Sequence, residues 1–215
     1  MATNEPRWAD RADGSTWISH WTIKASDLER LRGATHLTLW NVKFPSGFQF
    51  RSLPLLEFLD IRGGSKADLS ELEACEHLQG LVVNQVRGLC DIGTLSEMDS
   101  LRILSLYGLA KVERLPDMSR LTHLERLDIG QMRNLTEWAG LVTPPNLREV
   151  FFHNLLRPDL KILDQLASHP RLESFNWIAP DVPAKTQDPV HQRFVTLGKA
   201  RPVRPEEWLA EAHER

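Results

Sequence analysis

Three places in this sequence hold side chains of the kind that catalysis or metal binding uses. Cys75, Glu76 and His77 are consecutive, Cys90 precedes Asp91, and His20 and His36 are two imidazoles near the N-terminus. A cysteine nucleophile needs a base held against its sulfur by the fold, and neighbours in sequence do not by themselves make that pair. A tetrahedral metal site needs three or four donors, and the two histidines have no third ligand beside them in the sequence. No glycine-rich phosphate loop, serine elbow or paired-histidine metalloprotease helix occurs. The expectation is a chain with no catalytic residues, no metal and no cofactor. Cys75 and Cys90 form neither a Cys-x-x-Cys motif nor a disulfide framework, and both are expected to be small buried thiols.

Composition limits the other possibilities. The 215 residues are 41% hydrophobic and 26% charged, which suits an ordinary soluble fold. A net charge of -3 and a pI near 6.2 give no general attraction to phosphate backbones or anionic lipid, so neither nucleic acid nor membrane is an expected partner. The N-terminus lacks the apolar core of a signal peptide, and no stretch is apolar enough to span a bilayer. These features predict a cytoplasmic protein, monomeric when unbound.

Any residues that act must be positioned by a repeat. Leu101, Leu104 and Leu106 return as Leu124, Leu127 and Ile129 after 23 residues. The full series is Ala34/Leu37/Leu39, Leu56/Leu59/Ile61, Leu78/Leu81/Val83, Leu101/Leu104/Leu106, Leu124/Leu127/Ile129, Leu147/Val150/Phe152 and Leu172/Phe175/Trp177. Successive first members lie 22, 22, 23, 23, 23 and 25 residues apart. A fixed period of this size predicts a solenoid in one structural domain. The last two members of each triplet alternate with other residues at the period of a strand. The return path carries apolar residues every third position, as in Leu109, Val112, Leu115, Met118 and Leu121, which suits extended and 3₁₀ turns. Only Pro158 to Ser168, with Leu160, Leu163 and Leu166, reads as a helix there.

A lone rung cannot bury enough surface to stand by itself, so the ends need caps. Residues 1–33 form the expected N-terminal cap. Ile18/Trp21/Ile23 is its degenerate first rung, and a capping box from Ser26 to Glu29 opens a short helix through Leu31. Residues 34–179 are the repeats. Residues 180–215 are the C-terminal cap, with Val190, Phe194, Val195 and Leu197 available to pack and a terminal helix from Pro205 to Glu214 turning Trp208 and Leu209 inward.

The sevenfold LxxLxL pattern resembles the leucine-rich-repeat family over residues 34 to about 178. The asparagine the family tends to place after the strand is replaced by Val42, Gly64, Val86, Leu109, Met132 and Leu155. That departure is similar to plant-type disease-resistance receptor repeats, in which "LxxLP" follows; Val112-Glu113-Arg114-Leu115-Pro116 and Asn134-Leu135-Thr136-Glu137-Trp138 match it best. The resemblance implies an α/β fold: a curved right-handed solenoid with one parallel β-sheet of seven to eight short strands on its concave face. It also implies a role in binding proteins.

In this register the residues between triplet members form three rows facing away from the core. The first runs His20, His36, Phe58, Gly80, Ile103, Arg126, Glu149, Ser174. The central row runs Thr22, Thr38, Asp60, Val82, Ser105, Asp128, Phe151, Asn176, and the third Lys24, Trp40, Arg62, Asn84, Tyr107, Gly130, His153, Ile178. Aromatic and arginine side chains dominate the energetics of many interfaces. Trp40, Phe58, Asp60, Arg62, Ile103, Tyr107, Arg126, Asp128, Phe151 and His153 are therefore the candidate partner contacts, with Phe151 and Tyr107 expected to be exposed rings. Against that, Trp40 could simply pack on the N-terminal segment, and Arg126 could simply pair with Glu149. The function expected is non-catalytic binding of a protein, in a narrower form as an inhibitor or immunity protein of a toxin or enzyme. The alternatives are an adaptor using residues 180–215, or an enzyme with a site near His20, His36 and Trp40.

Overall fold

The structure, a computed structural model, describes residues 7–11 and 14–200. Within them a single nine-stranded sheet runs in sequence order: β1 (Trp8–Asp10), β2 (Ser15–Ser19), β3 (His36–Trp40), β4 (Phe58–Arg62), β5 (Gly80–Asn84), β6 (Ile103–Tyr107), β7 (Arg126–Gly130), β8 (Glu149–His153) and β9 (Ser174–Ile178). β1 and β2 are antiparallel, and every later pair is parallel. Three α-helices complete the α/β fold: α1 (Ala25–Leu31), α2 (Leu160–Ala167) and α3 (Ala184–Thr196). None is long and apolar enough to cross a membrane.

The strand pairing keeps equivalent triplet positions side by side, so Leu37, Leu59, Leu81, Leu104, Leu127, Val150 and Phe175 form one continuous row. All seven are at most 4% exposed, packed against Val86, Leu109, Met132 and Leu155 from the return paths. Apolar side chains thus occupy the position where the resembled family tends to carry asparagine. The return paths contain 3₁₀ turns at Phe50–Ser52, Ser70–Leu72, Gly93–Glu97 and Ala139–Val142.

Each rung also ends in the same way. The residue after each of strands β2 to β8 has positive φ: His20, Asn41, Gly63, Gln85, Gly108, Gln131 and Asn154, between 46° and 68°. This left-handed corner turns the chain away from the sheet. It also aims an N–H at the last strand carbonyl of the next rung, as from Gly63 to Asn84 and from Gln85 to Tyr107, both 2.8 Å. At the opposite strand end one carbonyl serves two donors: Glu57 O accepts from the N–H groups of Gln79 and Gly80, and the pattern repeats along the sheet.

The ends depart from expectation in four ways. The Ile18/Trp21/Ile23 spacing misplaces the first rung: β2 is Ser15–Ser19, and Ser15, Trp17 and Ser19 stand opposite His36, Thr38 and Trp40. Pairing with β1 sets this register, since Trp8 opposes Ile18 and Ser19 N donates to Arg7 O. His20 becomes a corner, and Thr22 bridges Lys43 on the return path. α1 starts one residue before Ser26, with Asp27 accepting from Lys24 N at 2.9 Å. α2 forms within the predicted span, capped by Asp159 accepting from Lys161 N at 2.8 Å, but Leu160 faces solvent while Ile162, Leu163 and Leu166 face the core. In the C-terminal cap Phe194 stacks on Phe175 with ring centroids 4.1 Å apart, whereas Val195 and Leu197 are about half exposed. The expected helix from Pro205 to Glu214 lies outside the described residues.

Both sheet ends meet antiparallel neighbours. β1 covers the outer edge of β2, and past β9 Ala200 bridges Ser174 in antiparallel sense while Phe175 N donates to Lys199 O at 3.1 Å.

A ladder of charge runs beside the sheet, on the residues just before strands β6 to β9. Arg102 donates to Glu125 at 2.7 Å, and Arg148 reaches Glu125 at 3.4 Å and Glu173 at 2.9 Å. These side chains are a quarter to a half exposed, so solvent screens most of the attraction. Arg148→Ala is expected to cost less than about 1 kcal/mol despite its two carboxylate partners. Urea denaturation at low and high salt checks this, the difference between the two proteins shrinking as salt rises.

Candidate binding face

The alternation of each strand turns one set of side chains to the core and the other to the opposite, outer face of the sheet. The observed register reproduces the predicted rows from β3 to β9. His20, Thr22 and Lys24 leave them, replaced by Ser15, Trp17 and Ser19.

Facing outward does not make a residue accessible. Phe58, Asp60, Ile103 and Phe151 are 8%, 4%, 6% and 2% exposed, and Val82 between them is 6%. Neighbouring rungs lie about 4.8 Å apart, so large side chains cover one another along a row. The Phe58 ring lies across Gly80, where an added Cβ would come within 2.2 Å of it. The expectation that Phe151 is an exposed ring does not hold; it lies under its neighbours as a second apolar layer. The third row is the accessible one: Arg62, Asn84, Tyr107 and His153 are partly exposed, while Trp40 and Ile178 are 45% and 47% exposed. Trp40 has ring contact with His20 at 6.3 Å yet keeps nearly half its surface open.

The outer rows contain five charged side chains, and four of them pair. Arg62 donates to Asp60 Oδ2 through Nε and Nη2 at 2.8 and 2.7 Å. Arg126 meets Glu149 at 3.0 Å, the pairing the row order suggests. Burial raises the Asp60 carboxyl above its ordinary range, and the Arg62 hydrogen bonds and charge partly offset this.

Asp128 is the exception. Its Oδ2 accepts from Ser105 Oγ at 3.0 Å, its Oδ1 is buried without a hydrogen bond, and it makes no ion pair among the described residues. Burial pushes its pKa up to about 7, with the Ser105 hydroxyl the lesser, opposing influence. Gly130 follows two residues later, and Tyr107 and His153 from the flanking strands converge on it with ring centroids 5.6 Å apart. Phe151 lies opposite Asp128 in the pairing and 5.8 Å from His153. Sequence reasoning omitted Ser105 and Ile178 from the candidate contacts. Ser105 stands beside Asp128 in its row, while Ile178 gains its exposure from the sheet end, which no local pattern announces.

The chemistry-bearing residues of the sequence do not assemble. His36 sits at the start of β3, stacked on Phe58 and contacted by Thr35 Oγ1 at 2.9 Å. His20 lies at the far end of the neighbouring strand, bonded to Asn41 Nδ2 at 3.1 Å, about 16 Å away along the strand direction. No group of three metal-ligating side chains occurs among the described residues. Burial pushes the Cys75 thiol up to about 11, which leaves little thiolate at neutral pH. Cys90 is exposed, contrary to the expectation of a buried thiol, and its Sγ meets the Ala67 carbonyl oxygen at 3.6 Å. A cleft of about 640 Å³ beside the pre-strand residues is lined by Leu55, Glu57, His77, Arg102 and His123, and it contains neither cysteine.

No protein-family model matches the chain, and no curated protein is significantly similar to it.

Proposed function

We propose that this chain is a leucine-rich-repeat protein that binds a protein partner through the outer face of its sheet, without catalysis. The observation that carries this reading is the third row. Of the seven strand positions from Trp40 to Ile178, six are partly exposed and carry indole, guanidinium, carboxamide, phenol, imidazole and aliphatic side chains, with Tyr107 and His153 meeting across the buried Gly130. A preformed strip of this kind loses little conformational freedom on binding, so most of its contact energy remains available. Its mixed chemistry fits a folded protein surface better than a uniform ligand. The narrower form is an inhibitor or immunity protein that blocks a toxin or enzyme by occupying its surface, which agrees with a chain whose described part is nearly all scaffold.

The adaptor alternative has less support over residues 180–200, because Phe194 packs that segment onto the last rung at 1% exposure. An enzyme near His20, His36 and Trp40 has less support because the two histidines are separated.

The test is capture of partner from the native source by the wild-type chain and by a Trp40→Ala/Tyr107→Ala variant whose fold is checked by circular dichroism. Removing two partly exposed rings is expected to weaken capture at least about tenfold. Equal capture by both chains would sink the outer-face reading. If a captured enzyme kept full activity in the complex, the inhibitor form would fall.

A further inference from the structure

We propose that the outer face is built to receive one basic side chain of its protein partner, a lysine or arginine, which places its cation on Asp128 with its stem laid across the touching rings of Tyr107 and His153. This deepens the protein-binding reading above and rests on it.

The charge pattern points to the sign of the ligand. Asp60 is bound by Arg62 and Glu149 by Arg126, so both arginines of this face are engaged and the face has little to offer an incoming anion. Asp128 carries the only carboxylate of the outer rows with no cation against it among the described residues, and one of its oxygens has no donor at all. A neutral donor could satisfy that oxygen but would leave the charge uncompensated. A guanidinium or ammonium group supplies both donor and charge, and charge-assisted hydrogen bonds are about twice as strong as neutral ones.

The surroundings point to the shape. Asp128 as a residue is half-buried and its Oδ1 is covered, so the incoming cation must displace what lies over that oxygen. Phe151 forms an apolar floor opposite it, and Tyr107 and His153 stand on the accessible third row on either side of Gly130. Lysine and arginine bury their aliphatic stems on such surfaces while keeping the head group polar, and aromatic faces attract the cation as well. The same burial that holds the Asp128 proton on to about pH 7 means that an arriving cation replaces solvation the carboxylate lacks. The other titratable groups facing this point are Arg126 on the same strand, Glu149 and His153 on β8, and Tyr107 on β6.

The test uses blocked tripeptides as probes, with lysine, arginine or glutamine between two glycines, added to the whole chain at about pH 8, above the titration of Asp128. Nuclear magnetic resonance follows the side chains of Tyr107, Asp128 and His153. The basic peptides are expected to shift these resonances saturably and the glutamine peptide not to. Asp128→Asn, folded by the same spectra, is expected to bind the basic peptides at least tenfold more weakly, while Asp91→Asn, on an exposed turn, binds as wild type. No saturable shift, or equal shifts with Asp128→Asn, would overturn the proposal. Because the probes need no partner, the outcome is independent of the capture experiment. Peptide binding alongside undiminished capture by Trp40→Ala/Tyr107→Ala would remove the outer-face reading and with it the partner as the source of the cation, leaving only a cation site at Asp128. Absent peptide binding alongside weakened capture would remove the Asp128 assignment alone.

Discussion

Gly140→Ala is expected to destabilise the protein by about 3 kcal/mol or more, at the upper end of what overpacking costs. Gly140 is buried in the 3₁₀ turn Ala139–Val142, on the return path between β7 and β8. An added Cβ would lie 2.0 Å from the carbonyl oxygen of Pro116 and 2.9 Å from that of Leu115, both in the preceding rung. Relief would require the two rungs to separate. They are tied on one side by the strand ladder and on the other by Leu115 N donating to Glu137 O at 3.0 Å. Gly80→Ala provides the contrast. Its Cβ would also meet an atom at 2.2 Å, but that atom belongs to the Phe58 ring, which can swing outward on the outer face. About 1 kcal/mol is expected there. Urea denaturation of the two variants separates the cases, and equal losses would show that the rungs part more easily than their bonding implies.

Asp128→Asn is expected to raise stability above neutral pH and leave it unchanged in acid. The Asp128 carboxyl titrates near 7 in the folded chain against an ordinary value of 3.8. Between those values the folded state holds a proton that the unfolded state has released. Stability therefore falls as pH rises from about 4 to about 7, and levels off beyond. The shift corresponds to about 4 kcal/mol at most, and nearer 2 kcal/mol with the higher effective dielectric of a real protein interior. Asparagine cannot ionise, so the variant should match wild type near pH 4 and exceed it by about 2–4 kcal/mol at pH 8. Asp60, raised in the same direction, contributes a slope common to both proteins and cancels in the comparison. A constant difference across pH would mean that Asp128 is not the titrating group. A side chain that weakens its own fold in this way is the kind that binding sites retain.

The two arguments draw on different amounts of sequence information. The period and the LxxLxL spacing located strands β3 to β9, because an inward apolar pair at fixed intervals has few other solutions. The first rung was misread for the same reason. Ile18, Trp21 and Ile23 have the spacing, but the antiparallel pairing with Trp8–Asp10 overrides it, and a three-residue strand leaves almost no periodic trace. On the candidate face, the direction of each side chain was legible and its depth was not. Alternation assigns Phe58 and Phe151 to the outer face, yet their burial depends on what the adjoining rungs hold, such as the glycine at position 80. The Arg126–Glu149 pair could be read from row order. The isolation of Asp128 could not, since Asp60 has equally uncharged row neighbours in Thr38 and Val82 and still pairs with Arg62 on its own strand.

The antiparallel neighbours at the two sheet ends have a consequence for self-association. A stack of near-identical parallel rungs is a template for its own kind, since the last rung of one molecule offers the hydrogen bonds that the first rung of another could take. Head-to-tail growth of that sort would produce fibres. Here the outer edge of β2 is occupied by a strand of opposite sense, and that of β9 is met by Lys199 and Ala200. A second copy arriving end-on meets chain running the wrong way, with Asp10 on the short leading strand. Among the described residues the parallel pattern therefore stops at both ends, and extending it into a second copy would require displacing these neighbours.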